Sequence, residues 1–213
     1  MSCLHDHSCE DHGCGSDWSL YKHIDISKVS ALNEIHPGSV KSVFKAWNQR
    51  LNMNEGCLQS NEGDPELLVY VPLSQHTGQC GYTKNIRIAT FSIAVFGVGA
   101  SPSKMSVFVN KDNMDFSDAR DTQPVQEWDM LECDGQPLEY ETRYTKFQSV
   151  SSISLHFSGN PCADQLVIYY IGFKGEATDL KRDMVSTVVY ELRPNPADHR
   201  TKAEQGGISH VPH

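Results

Sequence analysis

Tyr169-Tyr170-Ile171-Gly172-Phe173-Lys174-Gly175-Glu176, reached through Leu166-Val167-Ile168, is the stretch whose reading decides the fold. Strand alternation places Val167, Tyr169, Ile171 and Phe173 on one face and Leu166, Ile168 and Tyr170 on the other. Neither face tolerates water, so the segment is expected as a central strand covered on both sides. Further along comes Asn195-Pro196-Ala197-Asp198-His199-Arg200, where Pro196 removes a backbone donor and biases Asn195 away from helix. That turn is read either as a loop pinning a last strand over Val185 to Tyr190, or as a rigid display of Asp198, His199 and Arg200.

Working outward, a period of two recurs. Met105, Val107 and Val109 alternate with Ser106 and Phe108, and Ile153, Leu155 and Phe157 alternate with Ser152, Ser154 and His156. Leu138, Tyr140, Thr142 and Tyr144 alternate with Glu139, Glu141, Arg143 and Thr145, the pattern of a half-exposed strand. Ile86 and Ile88 change phase to Phe91, Ile93 and Val95 near Ala89-Thr90, which predicts a bulge. One short helix is expected, capped by Asp25 or Ser27, carrying Val29 and Leu32 and ending at His36-Pro37-Gly38. Seven or eight strands with almost no helix for crossovers predict an all-β, single-domain antiparallel sandwich with one short N-terminal helix and flexible tails.

Composition narrows the function. The net charge of −9, from 18 basic and 27 acidic residues, opposes phosphate backbones, so no nucleic acid is expected as a partner. The longest apolar-rich run, Ile86 to Ala100, is interrupted by Arg87 and Ser92 and is too short to span a bilayer, and no secretory signal is visible. A soluble, cytoplasmic protein extending to the nucleus, monomeric when free, is the expectation. The seven cysteines follow no framework spacing and include no Cys-x-x-Cys, so neither a disulfide scaffold nor thioredoxin chemistry is expected.

Catalytic constellations are weak. Ser19, His23 and Asp25 contain the residue types of a nucleophile, base and orienter but are neighbours in one segment with no elbow motif. His156 reads as an exposed or hydrogen-bonded surface histidine. Glu139 and Glu141 share a strand face about 7 Å apart, a solvated face with Arg143 next in line. No catalytic residues and no required cofactor are assigned. Trp47 follows Val43 and Phe44 and reads as core or as an interface anchor. Cys3, His5, His7, Cys9, His12 and Cys14 collect thiolate and imidazole donors suited to zinc or copper, without the spacing of a known finger. The tract is read three ways: a physiological metal site, adventitious binding, or a tail with no metal role. His210 and His213 lie near the terminal carboxylate in a short polar tail.

Several short motifs in fixed order resemble one known family. Leu20-Tyr21-Lys22-His23-Ile24-Asp25, Val43-Phe44-Lys45-Ala46-Trp47, Leu58 to Leu68, Met114-Asp115-Phe116, Lys146-Phe147-Gln148-Ser149-Val150 and the opening stretch look like the PITH domain. That domain is the proteasome-interacting module of a thioredoxin-like protein and also occurs alone. The resemblance covers roughly residues 20 to 200. It implies a jelly roll of the galactose-binding-like type and a non-enzymatic module docking on the proteasome regulatory particle or an associated assembly. At Phe96-Gly97-Val98-Gly99-Ala100 the chain departs from that pattern, with glycines in place of an acidic loop.

The expected organisation is a Cys/His-rich tail at 1–17, a PITH domain at 18–200 and a tail at 201–213. Partner contacts are expected at Trp47, Asn195, Asp198, His199, Arg200, His210 and His213. The competing readings are a carbohydrate-binding module on the same fold and a metal-handling regulator acting through the first tail. Removing residues 1–16 separates the last of these. A metal function disappears with the tail, whereas docking measured by co-sedimentation persists.

Overall fold

The computed structural model describes residues 18–74, 82–95, 100–131, 136–159 and 164–181. The expected strand over Val185 to Tyr190, the Asn195 to Arg200 turn, the glycine-rich departure at 96–99 and both tails lie outside the described residues.

Within them, nine strands form two sheets, and every pairing is antiparallel. The first sheet runs, in spatial order, β1 (Ser30–Leu32), β3 (Glu66–Pro72), β8 (Ser152–Gly159), β5 (Pro102–Val109), β6 (Gln126–Asp129). The second runs β2 (Leu58–Gln59), β9 (Val167–Lys181), β4 (Tyr82–Val95), β7 (Leu138–Glu141). The all-β antiparallel sandwich of jelly-roll type is the architecture found. Between the sheets lie Leu67, Val69 and Val71 of β3, Ile153, Leu155 and Phe157 of β8, Met105 and Val107 of β5, and Ile86, Ile88, Phe91 and Ile93 of β4, all buried. Phe91 is the hub, meeting Phe173, Trp128 and Phe147 edge-on at 5.3, 5.6 and 5.7 Å between ring centroids, the geometry in which ring quadrupoles attract.

The opening stretch becomes β9, flanked by β2 and β4 as a central strand should be. Its face assignment is altered by a bulge. Ala94 pairs with Tyr170 and Val95 with Ile168, which leaves Tyr169 as an extra residue. Ile168 therefore joins Ile171 and Phe173 in the core, where strict alternation had separated them. The bulge expected near Ala89 is present, because Ile88 pairs with Gly175 and Thr90 with Lys174. Thr142 takes up the carbonyls this frees: its N–H donates to Ala89 at 2.9 Å and its hydroxyl to Ile88 at 2.7 Å.

The helix expected over Asp25 to His36 does not form. Residues 21–23 and 26–28 are single 3-10 turns, and Ser30–Leu32 is strand β1. Sheet edges outcompete it: Leu20 N–H donates to the Phe173 carbonyl at 2.9 Å and Asp25 N–H to the Pro72 carbonyl at 3.0 Å. A segment this short gains little from isolated helix. Asp25 caps no α-helix; its carboxylate accepts from the Ser27 hydroxyl at 2.5 Å and pairs with Lys28 at 2.9 Å. Among the described residues the α-helix is α1 (Phe116–Asp121), opened by a reciprocal capping box between Asp115 and Asp118. It covers the outer face of the first sheet, where Leu68, Phe108 and Ala119 are buried with Met114 and Phe116 against them.

That cover explains the buried polar faces. Ser152 donates to Asp112 at 2.7 Å and Ser154 to the Lys111 carbonyl at 3.1 Å. His156 is only 9% exposed; its Nε2 lies 2.8 Å from Glu66, whose other oxygen pairs with Arg120 of α1 at 2.5 Å. It is a hydrogen-bonded histidine, as expected, but beneath Phe116 rather than in solvent.

Gly175 sets the closest backbone approach in the second sheet. A Cβ there would lie 2.0 Å from the Arg87 carbonyl oxygen, a contact that only backbone movement relieves. Gly175→Ala is expected to destabilise the domain by about 1 to 3 kcal/mol. Urea unfolding checks this, and an unchanged midpoint refutes it.

Candidate docking surface

The outer face of the second sheet is covered by the segment that follows the 3-10 turn Ser39–Val43 rather than by a helix. Glu34 organises that turn, accepting from the N–H groups of Gly38 at 2.6 Å and Val40 at 3.0 Å and from the Ser39 hydroxyl at 3.1 Å. Gly38, at φ +87°, supplies the left-handed residue the turn requires. Val40, Val43 and Phe44 are then buried, Phe44 against Phe173 at 6.1 Å. This anchor delivers the next turn, Trp47–Gln49, to the face of β9.

Trp47 is half-buried there. Two cations meet its indole: the Lys174 ammonium at 4.0 Å and the Arg50 guanidinium at 4.2 Å from the ring centroid. Each contact is worth roughly 0.5 to 2 kcal/mol, more as water is excluded. Arg50 is held further by donating to the Trp47 carbonyl at 3.0 Å. Lys174 is paired with Glu139 of β7 across the sheet. Beneath them Tyr170 is 1% exposed, and its ring passes over Gly172, where a Cβ would come within 2.2 Å of the hydroxyl. Burial pushes the Tyr170 phenol up to about 12; the Arg50 charge opposes this and the Glu139 charge adds to it. Ser92 of β4, which pairs with Gly172 and Glu139, is fully buried and its hydroxyl has no hydrogen-bond partner among the described residues. Beyond Arg50, Leu51 and Met53 are 50% and 44% exposed.

Of the expected contact residues, Trp47 is therefore placed on a surface, half-covered and neither fully core nor fully free. Asn195, Asp198, His199, Arg200, His210 and His213 lie outside the described residues. So do Cys3, His5, His7, Cys9, His12 and Cys14. Among the described residues no three His, Cys, Asp or Glu side chains gather in a way that would hold a metal ion, and no helix is long and apolar enough to cross a membrane. Ser19, His23 and Asp25 are split between the two sheets: Ser19 bridges to Lys174 of β9, whereas Asp25 bonds to Pro72 of β3. Glu139 and Glu141 share the outer side of β7, Glu139 tied to Lys174. Sequence reading missed Arg50 and Lys174 as partners of Trp47. The available signal was the tryptophan followed three residues later by arginine.

A protein-family model described as the PITH domain matches residues 10–194. The chain belongs to the PITH domain family. A PITH domain-containing protein of Drosophila melanogaster is 34% identical over 206 residues, spanning 96% of this chain and 92% of the fly protein. PITH domain-containing protein 1 of Homo sapiens is 33% identical over 186 residues, spanning 87% of this chain and 82% of the human protein. Among solved structures, a family 32 carbohydrate-binding module from C. perfringens NanJ in complex with galactose matches 73% of this PITH-domain chain and 96% of its own, at 11% identity and a TM-score of 0.48.

The shift at Tyr170 gives stability a pH dependence. Below pH 10, its ordinary pKa, both folded and unfolded chains keep the phenol proton and the contribution is complete. Between pH 10 and 12 the unfolded chain releases the proton and the folded chain retains it, so about 2 to 3 kcal/mol of stability is lost. Urea unfolding of wild type and Tyr170→Phe should show the wild-type advantage shrinking by that amount across this window. A pH-independent difference excludes it.

Proposed function

We propose that this PITH domain is a non-catalytic protein-docking module whose partner is the proteasome regulatory particle or an associated assembly. The family likeness supplies the partner. The observation that supports a docking surface is the partly covered Trp47, with its two cations and the neighbouring exposed Leu51 and Met53. Tryptophan and arginine dominate the residues whose truncation weakens protein interfaces. Both are also held in place before any partner arrives, which lowers the cost of ordering them on binding. Asn195, Asp198, His199, Arg200, His210 and His213 are proposed as further contacts. A free monomer resident in cytoplasm and nucleus accords with such a role.

The test is co-sedimentation of the purified chain with intact proteasomes and with isolated core particles. Saturable binding to the intact assembly alone is expected. Trp47→Ala should weaken it at least about tenfold, the equivalent of roughly 1.4 kcal/mol, while circular dichroism and thermal unfolding report whether the domain remains folded. Binding to neither particle at tens of micromolar removes the proteasome reading.

A further inference from the structure

The segment from Lys45 to Met53 carries positive charge that no carboxylate balances among the described residues. Its sequence, Lys45-Ala46-Trp47-Asn48-Gln49-Arg50-Leu51-Asn52-Met53, contains two cations and no acid, in a chain whose net charge is −9. Lys45 is 4% exposed, and its ammonium donates to the Asn52 carbonyl at 2.6 Å. Among the described residues no carboxylate pairs with Lys45 or with Arg50. The nearby acids are already engaged: Glu139 with Lys174, and Glu55 by the Asn52 amide at 2.9 Å. Arg50, part-buried and with no carboxylate partner among the described residues, is the cation that an acceptor arriving from outside can reach, whereas Lys174 is already paired.

Apolar surface adjoins that charge. Leu51 and Met53 are about half exposed on either side of Asn52, and the Trp47 indole stands beside Arg50. The loop is held in this form by local bonds, Lys45 to the Asn52 carbonyl and Asn54 N–H to the Asn52 side chain at 3.1 Å. Methionine at such a surface adapts to differently shaped apolar partners.

We propose that this loop receives a partner-protein segment that presents an apolar side chain to Trp47, Leu51 and Met53 and an adjacent Asp or Glu to Arg50. The inference rests on the docking reading and names the chemistry of the partner at this surface. Guanidinium suits the role, because its fork can donate two parallel hydrogen bonds to a carboxylate while its carbon remains over the indole. Lys45, fixed on the Asn52 carbonyl, adds a second positive charge to the same segment. A phosphate backbone is disfavoured by the chain's overall acidity, and a second copy of this acidic chain would add like charge.

The experiment measures affinity for purified intact proteasomes at about 50 and 300 mM salt for wild type, Arg50→Lys, Arg50→Met and the pair Leu51→Ser/Met53→Ser. Lys111→Glu, in the loop between β5 and α1 against the first sheet, is the control. Arg50→Met should bind about tenfold more weakly at low salt and lose most of the salt dependence, because the screened attraction is gone. Arg50→Lys should keep the salt dependence, and the Leu51/Met53 pair should weaken binding equally at both salts. A photoreactive residue at position 53 should crosslink to a partner peptide containing Asp or Glu. Saturable wild-type binding that Arg50→Met leaves unchanged overturns this inference and spares the docking reading. Crosslinks confined to segments without acids also overturn it, as does self-association of the chain abolished by Arg50→Met. Absence of wild-type binding overturns both readings.

Discussion

The pairing of β4 with β9 is the constraint from which the rest of this molecule follows. It sets Phe91 directly opposite Phe173 and so places the aromatic hub between the sheets. It also carries two bulges, at Ala89 and at Tyr169, which re-phase the strands so that Ile88 and Phe91, and likewise Ile168 and Ile171, face the same core. Regular strands would turn half of these residues outward. The two glycines of β9 allow the arrangement: Gly175 admits the Arg87 carbonyl beside one bulge, and Gly172 gives the Tyr170 ring a flat place to lie.

The two sheets solve the problem of their outer faces differently. The first is covered by α1 and the residues before it, which bury Phe108 and Leu68 and bring Asp112 to Ser152 and Arg120 to the Glu66–His156 pair of the sheet. The second is covered by the Tyr170 ring and by Trp47 with its two cations, a thinner cover that leaves the indole, Leu51 and Met53 partly in water. Cation–π contacts and a cross-strand ion pair hold this surface without closing it. That difference is why the docking surface is proposed on the second sheet. In PITH relatives that share about a third of their residues with this chain, the same comparison of the two faces can be made residue by residue.

The strands were legible because period-two alternation is a local property: β5 and β8 follow the runs from Met105 and Ile153 closely, whereas β7 follows the run from Leu138 only to Glu141, before the 3-10 turn Tyr144–Lys146 replaces the second half of the expected strand. The bulge near Ala89 was legible for the same reason, since it appears as a change of phase. The bulge at Tyr169 was not, because an unbroken apolar run has no phase to change. Helix positions misled in both directions. Asp25 and Ser27 look like caps, yet sheet edges claimed the backbone donors of that segment, whereas Asp115-Phe116-Ser117-Asp118 makes a capping box with aspartate in the place usually held by glutamate or glutamine.

For the surface, Trp47 was visible as a candidate and its surroundings were not. Arg50 is a neighbour in sequence, but Lys174 and Glu139 reach the indole only because β9 lies between β2 and β4, and β7 pairs with β4. By itself the sequence determined the class of structure, an antiparallel all-β sandwich with a central apolar strand, because burial periodicity and turn residues act over a few positions. Tertiary structure alone decided which polar residues would be buried, which cations would find a carboxylate among the described residues and how far Trp47 would be covered. Those outcomes depend on what each side chain meets across space, and side-chain solvation is set by neighbours far away along the chain.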